Sequence, residues 1–116
     1  FAYVLTGNDS DGRSNVERAA DLIKSAKYLE EKGKLKKAKK RYNRALKFLL
    51  KSIDEELMDI SALNYLGYTY KKLEEYKNSE IYYLLGLKID PESPEINEQL
   101  GELYFLTNQN KNIPLM

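Results

Sequence analysis

The sequence predicts an all-α fold of antiparallel helix hairpins, and three observations predict it. Leu66–Gly67 and Tyr70 recur as Leu100–Gly101 and Tyr104, an interval of 101 − 67 = 34 residues. Between Leu63 and Pro91 the small and aromatic residues fall at helical steps. Leu63, Leu66, Gly67 and Tyr70 share one stripe, and Ser79, Tyr83 and Gly86 share another, with the polar break Glu74–Asn78 between them. Strand signals, finally, are confined to the short run Phe1–Leu5.

Two short helices joined by such a break fold back on each other as an antiparallel hairpin. Gly67 and Gly86 carry no side chain, so the helix axes can approach and the tyrosines can fill the space alongside, and Gly101 is expected to be buried in the same way. Glycine inside a helix costs roughly 0.5–1 kcal/mol relative to alanine, so two of them imply a packing reason. The stripe extends backward as well: Ala38, Tyr42 and Ala45 match Ser79, Tyr83 and Gly86 at an offset of 83 − 42 = 41 residues. The seven extra residues are about two helical turns, and no Pro or Gly lies between Lys34 and Leu66. The second helix of the first hairpin is therefore expected to be long, ending near Asp54–Leu57.

Taken in order, residues 1–14 are expected to form a flexible arm. Phe1–Leu5 suits either the tail of an export segment or a loosely docked arm, which leaves a cytoplasmic and an exported (periplasmic) compartment both open. Thr6 to Asn15 is turn and linker material, with Asn15 as the expected cap of the first helix. Ala19, Leu22, Ile23, Ala26 and Leu29–Glu30 then follow a helical stripe, and Gly33 breaks the hairpin before a helix opening at Leu35–Lys36. The next helices are expected at about Ile60–Leu73 behind an Asp59 cap, and at Tyr76–Ile89, ended by Asp90–Pro91. Ser93 caps a last helix at about Pro94–Thr107, with Pro94 in its first turn.

Composition narrows the chemistry. A length of 116 residues suits one domain, here residues 15–116, and a net charge of +1 provides no global field for nucleic acid or anionic lipid. There is no cysteine and no histidine, which removes disulfides, thiolate chemistry, the usual general base and the commonest metal ligand. Glu55–Glu56 and Glu74–Glu75 are adjacent pairs, which diverge around a helix. Neither a nucleophile–base pair, nor a phosphate-cradling glycine loop, nor a metal-ligand spacing is present. The expectation is no enzyme, no cofactor and no metal. No apolar run reaches the ~20 residues needed to span a bilayer.

The order bulky apolar residue, Leu-Gly, Tyr, small residue, aromatic and closing Pro over Leu63–Pro91 resembles the tetratricopeptide repeat. Leu63 stands where Trp is usual and Ser79 where Ala is usual. The resemblance implies a right-handed superhelix of hairpins (an α–α solenoid) with about two and a half repeats: residues 19–52 with an extension over 53–59, 60–93, and a partial 94–116. It also implies a scaffold that binds a protein or peptide in a concave groove lined by the first helix of each hairpin. The groove-facing candidates so implied are Ile23, Lys27 and Glu30, then Asn64, Tyr68, Lys71 and Lys72, then Glu98, Glu102 and Phe105. These positions are expected to lie off the core stripe, without packing duty. Asn64 and Tyr68, one turn apart, suit an extended peptide held by stacking and by hydrogen bonds to its backbone.

Members that clamp the C-terminal carboxylate of chaperones use Lys, Asn and Arg over three repeats. At the corresponding positions this chain has Ile23, Lys27, Tyr65, Glu95 and Gln99, so it departs from that pattern. The basic run Lys32–Lys47 has the composition to attract nucleic acid, anionic lipid or an acidic partner. It reads as a solvated helix face balanced by Glu30, Glu31 and the stretch Asp54–Asp59, and no nucleic-acid binding is expected. Of the ten tyrosines, Tyr28, Tyr42, Tyr65, Tyr70, Tyr83 and Tyr104 fall on or beside core stripes. The third repeat is incomplete, so Leu100, Leu103, Phe105 and Leu106 are expected to lack a covering helix. Either a following helix or a second copy, in a homodimer through the C-terminal helix, would supply it.

Overall fold

A computed structural model of the chain describes residues 12–54 and 59–109. Five helices follow in order: α1 (Asn15–Glu31), α2 (Leu35–Asp54), α3 (Ile60–Lys72), α4 (Tyr76–Ile89) and α5 (Pro94–Gln109). α1 pairs with α2 and α3 with α4, α2 packs on α3, and α5 closes against α4 and α3. α1, α3 and α5 thereby form one layer, with α2 and α4 behind it. Among the described residues there is no strand, and no helix is long and apolar enough to cross a membrane. The expected arm at 1–11, the end of the α2 extension at 55–58 and the tail at 110–116 lie outside the described residues.

Each helix start has a local cause. α1 opens one residue earlier than expected: Ser14, not Asn15, is its cap, because Glu17 stands three residues on and completes a reciprocal capping box. The Glu17 amide donates to the Ser14 hydroxyl (3.1 Å) and the Ser14 amide to the Glu17 carboxylate (2.8 Å). Asp59 accepts from the Ser61 amide at 3.0 Å, and Ser93 from the Ile96 amide at 3.3 Å. Both hairpin turns close the same way, with the Lys34 amide donating to Leu29 and the Glu75 amide to Tyr70. Each needs one residue with left-handed backbone: Gly33 in the first turn (φ 77°) and Glu74 in the second (φ 64°).

The core has two parts. Ala19, Ile23 and Ala26 of α1 meet Ala38, Tyr42, Ala45 and Leu49 of α2 and Ala62, Leu66 and Tyr70 of α3. Alanines at the α1–α2 contact let the backbones approach while Tyr42 supplies the bulk. Tyr83, Ile96, Leu100 and Leu103 make the second part, between α4 and α5. Gly67 lies against the Tyr83 ring and Gly86 against Ile96, so both glycines are true points of close approach. The buried Ser79 hydroxyl donates to the Gly67 carbonyl at 2.6 Å, tying α4 to α3. Tyr82, unassigned from sequence, stacks on Tyr70 at 5.6 Å between ring centres.

Three expectations fail. Gly101 has no neighbour within 4 Å of where its Cβ would stand, because the described chain has no further helix on that side of α5. Leu100 and Leu103 are buried against α4, so they do not lack cover, whereas Phe105 and Leu106 are 66% and 40% exposed. Tyr28 is 58% exposed rather than core, its ring lying beneath the Lys32 ammonium.

Candidate functional site

The layer of α1, α3 and α5 presents an open groove with α3 as its floor. Asn64, Tyr68, Lys71 and Lys72 sit at steps of four, three and one along α3, so they share its groove face. Tyr68 is the centre of this face. Its ring meets Tyr42 edge-on, with centres 6.4 Å apart, and it packs partly on the first core cluster. Three ammonium groups surround the ring: Lys27 at 4.8 Å, Lys71 at 5.1 Å and Lys72 at 5.8 Å from its centre. A cation over an aromatic face is favoured by the ring quadrupole, the more so where water is partly excluded.

Polar contacts tie the three helices together around Tyr68. The Lys71 ammonium donates to Gln99 at 2.8 Å and pairs with Glu102 at 3.4 Å, joining α3 to α5. Lys72 pairs with Glu30 of α1 at 3.2 Å, and the Tyr42 hydroxyl donates to the same Glu30 at 2.9 Å. The Tyr83 hydroxyl reaches Gln99 at 3.3 Å. Burial lowers the Lys71 ammonium below its ordinary value; Glu102 works against that, and the like charges of Lys72 and Lys27 reinforce it. Burial, followed by the bond to Glu30, pushes the Tyr42 hydroxyl well above the usual tyrosine range. The floor is therefore preorganised, because its side chains hold one another in place before any ligand arrives.

Two clefts divide the sequence-derived candidates. Ile23, Lys27, Asn64, Tyr68 and Glu98 line one of about 190 Å³, together with Tyr65, Glu95 and Gln99. Its α1 wall is positive through Lys27 and its α5 wall negative through Glu95 and Glu98. Glu30, Lys71, Lys72 and Glu102 line the neighbouring cleft. Phe105 lines neither. Ile23 is a correction: it is only 4% exposed and belongs to the core, because the α1 stripe through Ala19 and Ala26 turns it toward α2 and α3. Tyr68, too, carries packing that the sequence reading denied it. Glu95 and Gln99 are visible in the sequence as departures from a carboxylate clamp, and Tyr65 both so and as a tyrosine beside a core stripe; the clamp register is the signal that finds all three.

Chemically, the arrangement offers an aromatic face, amide and carboxylate acceptors and ammonium donors along an open trough. No group of three or more Asp or Glu able to hold a metal ion occurs among the described residues. Residues 60–93 match the family model of the tetratricopeptide repeat. No curated protein and no solved structure matches the chain.

Proposed function

With a tetratricopeptide repeat at residues 60–93 and five helices forming a short array of that type, we propose that the chain is an interaction scaffold that holds an extended protein segment in the groove of α1, α3 and α5. Tetratricopeptide repeats mediate protein–protein interaction and are typically non-catalytic. The observation that carries the groove reading is the setting of Tyr68, ringed by lysines from α1 and α3 and braced from α5 through Lys71 and Gln99. Tyr68 packs against one ligand side chain, Asn64 pairs with its backbone, and the opposed charges of Lys27 and of Glu95 and Glu98 set its direction.

The test is selection from a displayed library of random peptides, with the full chain as bait. Wild type enriches a consensus, and the double variant Asn64→Ala with Tyr68→Leu loses it while keeping its helical circular dichroism. Enrichment that survives the double variant removes the groove from consideration. A second reading, self-association through α5, is favoured by the exposure of Phe105 and Leu106 and by the open space over Gly101. It requires a dimer mass in solution that Phe105→Glu converts to a monomer.

A further inference from the structure

α2 carries a second charged surface that the groove does not use. From Lys32 to Lys51 ten residues are Lys or Arg and none is Asp or Glu. Lys36, Lys40, Arg44, Lys47 and Lys51 step by four, four, three and four, so they form one stripe about 22 Å long on the outer side of the helix. All five are exposed. Lys71 and Lys72 in the groove have carboxylate partners, whereas among the described residues none of these five does. The balance that the sequence suggested from Glu30 is absent, since that carboxylate is held by Tyr42 and Lys72. Like charges at these spacings repel, and a surface of anions relieves that repulsion.

We propose that α2 seats the protein on an anionic lipid surface through this stripe. Two features favour lipid over nucleic acid. First, Tyr28 is 58% exposed near the end of α1, beneath the Lys32 ammonium, and Leu35 is 65% exposed at the first residue of α2, on the Tyr42 side of the helix. An amphipathic ring and an aliphatic side chain beside lysines suit the headgroup boundary of a bilayer, and a duplex gives Leu35 nothing apolar to bury against. Second, two of the α2 groups able to read base edges are engaged within the protein, leaving Arg44: Arg41 is bonded to Ser25, and the Asn43 amide to the Lys39 carbonyl. What remains on the stripe is four lysine point charges and one guanidinium. Such a row senses charge density without demanding a particular geometry.

Co-sedimentation of the full chain with phosphatidylcholine vesicles, with and without an equal share of phosphatidylglycerol, tests this. The protein sediments with the anionic vesicles alone and is released by salt. Each of Lys36→Gln, Lys40→Gln and Lys47→Gln lowers the partition constant about fivefold, and the three together about a hundredfold. Tyr28→Ser with Leu35→Ser lowers it further at unchanged charge. Circular dichroism shows that all variants stay folded, since every substituted residue is exposed, and peptide selection by the groove is unaffected. Equal sedimentation with neutral vesicles, or none with either, overturns the proposal. So does a DNA duplex that binds with the same lysine dependence and strips the protein from the vesicles.

Discussion

The ring of Tyr83 occupies the space where a side chain on residue 67 would begin. A Cβ at Gly67 would stand 2.4 Å from Cε1 and 2.5 Å from Cδ1 of that ring. The ring is fully buried and its hydroxyl is held by Gln99, so it has nowhere to go. Gly67→Ala therefore overpacks the α3–α4 contact at about 1–3 kcal/mol, more than the about 0.5–1 kcal/mol that alanine gains in a helix. Gly86→Ala meets only the end of Ile96 (Cδ1, 2.5 Å) and costs less. Gly101→Ala meets nothing and stabilises by up to about 1 kcal/mol. Urea midpoints ranked in any other order would refute this account of the repeat's glycines.

The second hairpin turn holds Glu74 in left-handed backbone, where the first has Gly33. A residue with a Cβ pays about 1 kcal/mol or more there. Glu74→Gly should raise stability by about that amount, and Gly33→Ala should lower it similarly. Thermal melts of the two single variants decide the matter: shifts of the same sign would mean that the turns are not equivalent.

The hairpins were legible because close approach leaves a mark in one dimension. A glycine or alanine must recur wherever backbones nest, and a tyrosine wherever they do not. Caps were legible where a serine or aspartate bonds its own helix, as at Asp59 and Ser93. Glu74 was not, since nothing in a glutamate signals positive φ; only its alignment with Gly33, 74 − 33 = 41 residues earlier and the same offset that relates Tyr42 to Tyr83, gives it away. Gly101 misled for a related reason: periodicity predicts the notch but says nothing of its occupant. At the site, Asn64 and Tyr68 followed from helical register. The gathering of Lys27, Lys71 and Lys72 about one ring did not, because convergence of side chains from two helices has no period. Ile23 fell both on the α1 core stripe and in the groove register, and burial puts it in the core with only an edge on the cleft.

Thr69 is wholly buried and its hydroxyl has no hydrogen-bond partner. An unmade bond at a buried hydroxyl costs about 1–3 kcal/mol, and a methyl of similar shape removes that cost. Thr69→Val should thus stabilise α3 by about 1 kcal/mol. Thr107 is the control, because its buried hydroxyl donates to the Leu103 carbonyl at 3.0 Å. Thr107→Val should be neutral or destabilising. Denaturant titration separates the two, and a loss of stability in Thr69→Val would imply a partner for that hydroxyl, such as an ordered water.

Alkaline pH should unfold the protein through its tyrosines. Burial and then the 2.7 Å bond to Glu80 push the Tyr104 hydroxyl up to about 12. Tyr83 is raised further, chiefly by burial, and so is Tyr42. An unfolded tyrosine loses its proton near pH 10. The folded state therefore binds these protons more tightly, so their share of stability is intact below about pH 10 and declines as pH rises through the folded values. Urea midpoints should be level through neutral pH and fall steeply above about pH 10. Tyr104→Phe should make that fall shallower while lowering the neutral-pH stability by no more than about 1.5–3 kcal/mol, since the ring is kept and one hydrogen bond to a charged acceptor is lost. A midpoint that holds steady or climbs through the alkaline range would contradict the assignment of these hydroxyls as groups that hold their protons more tightly in the folded state.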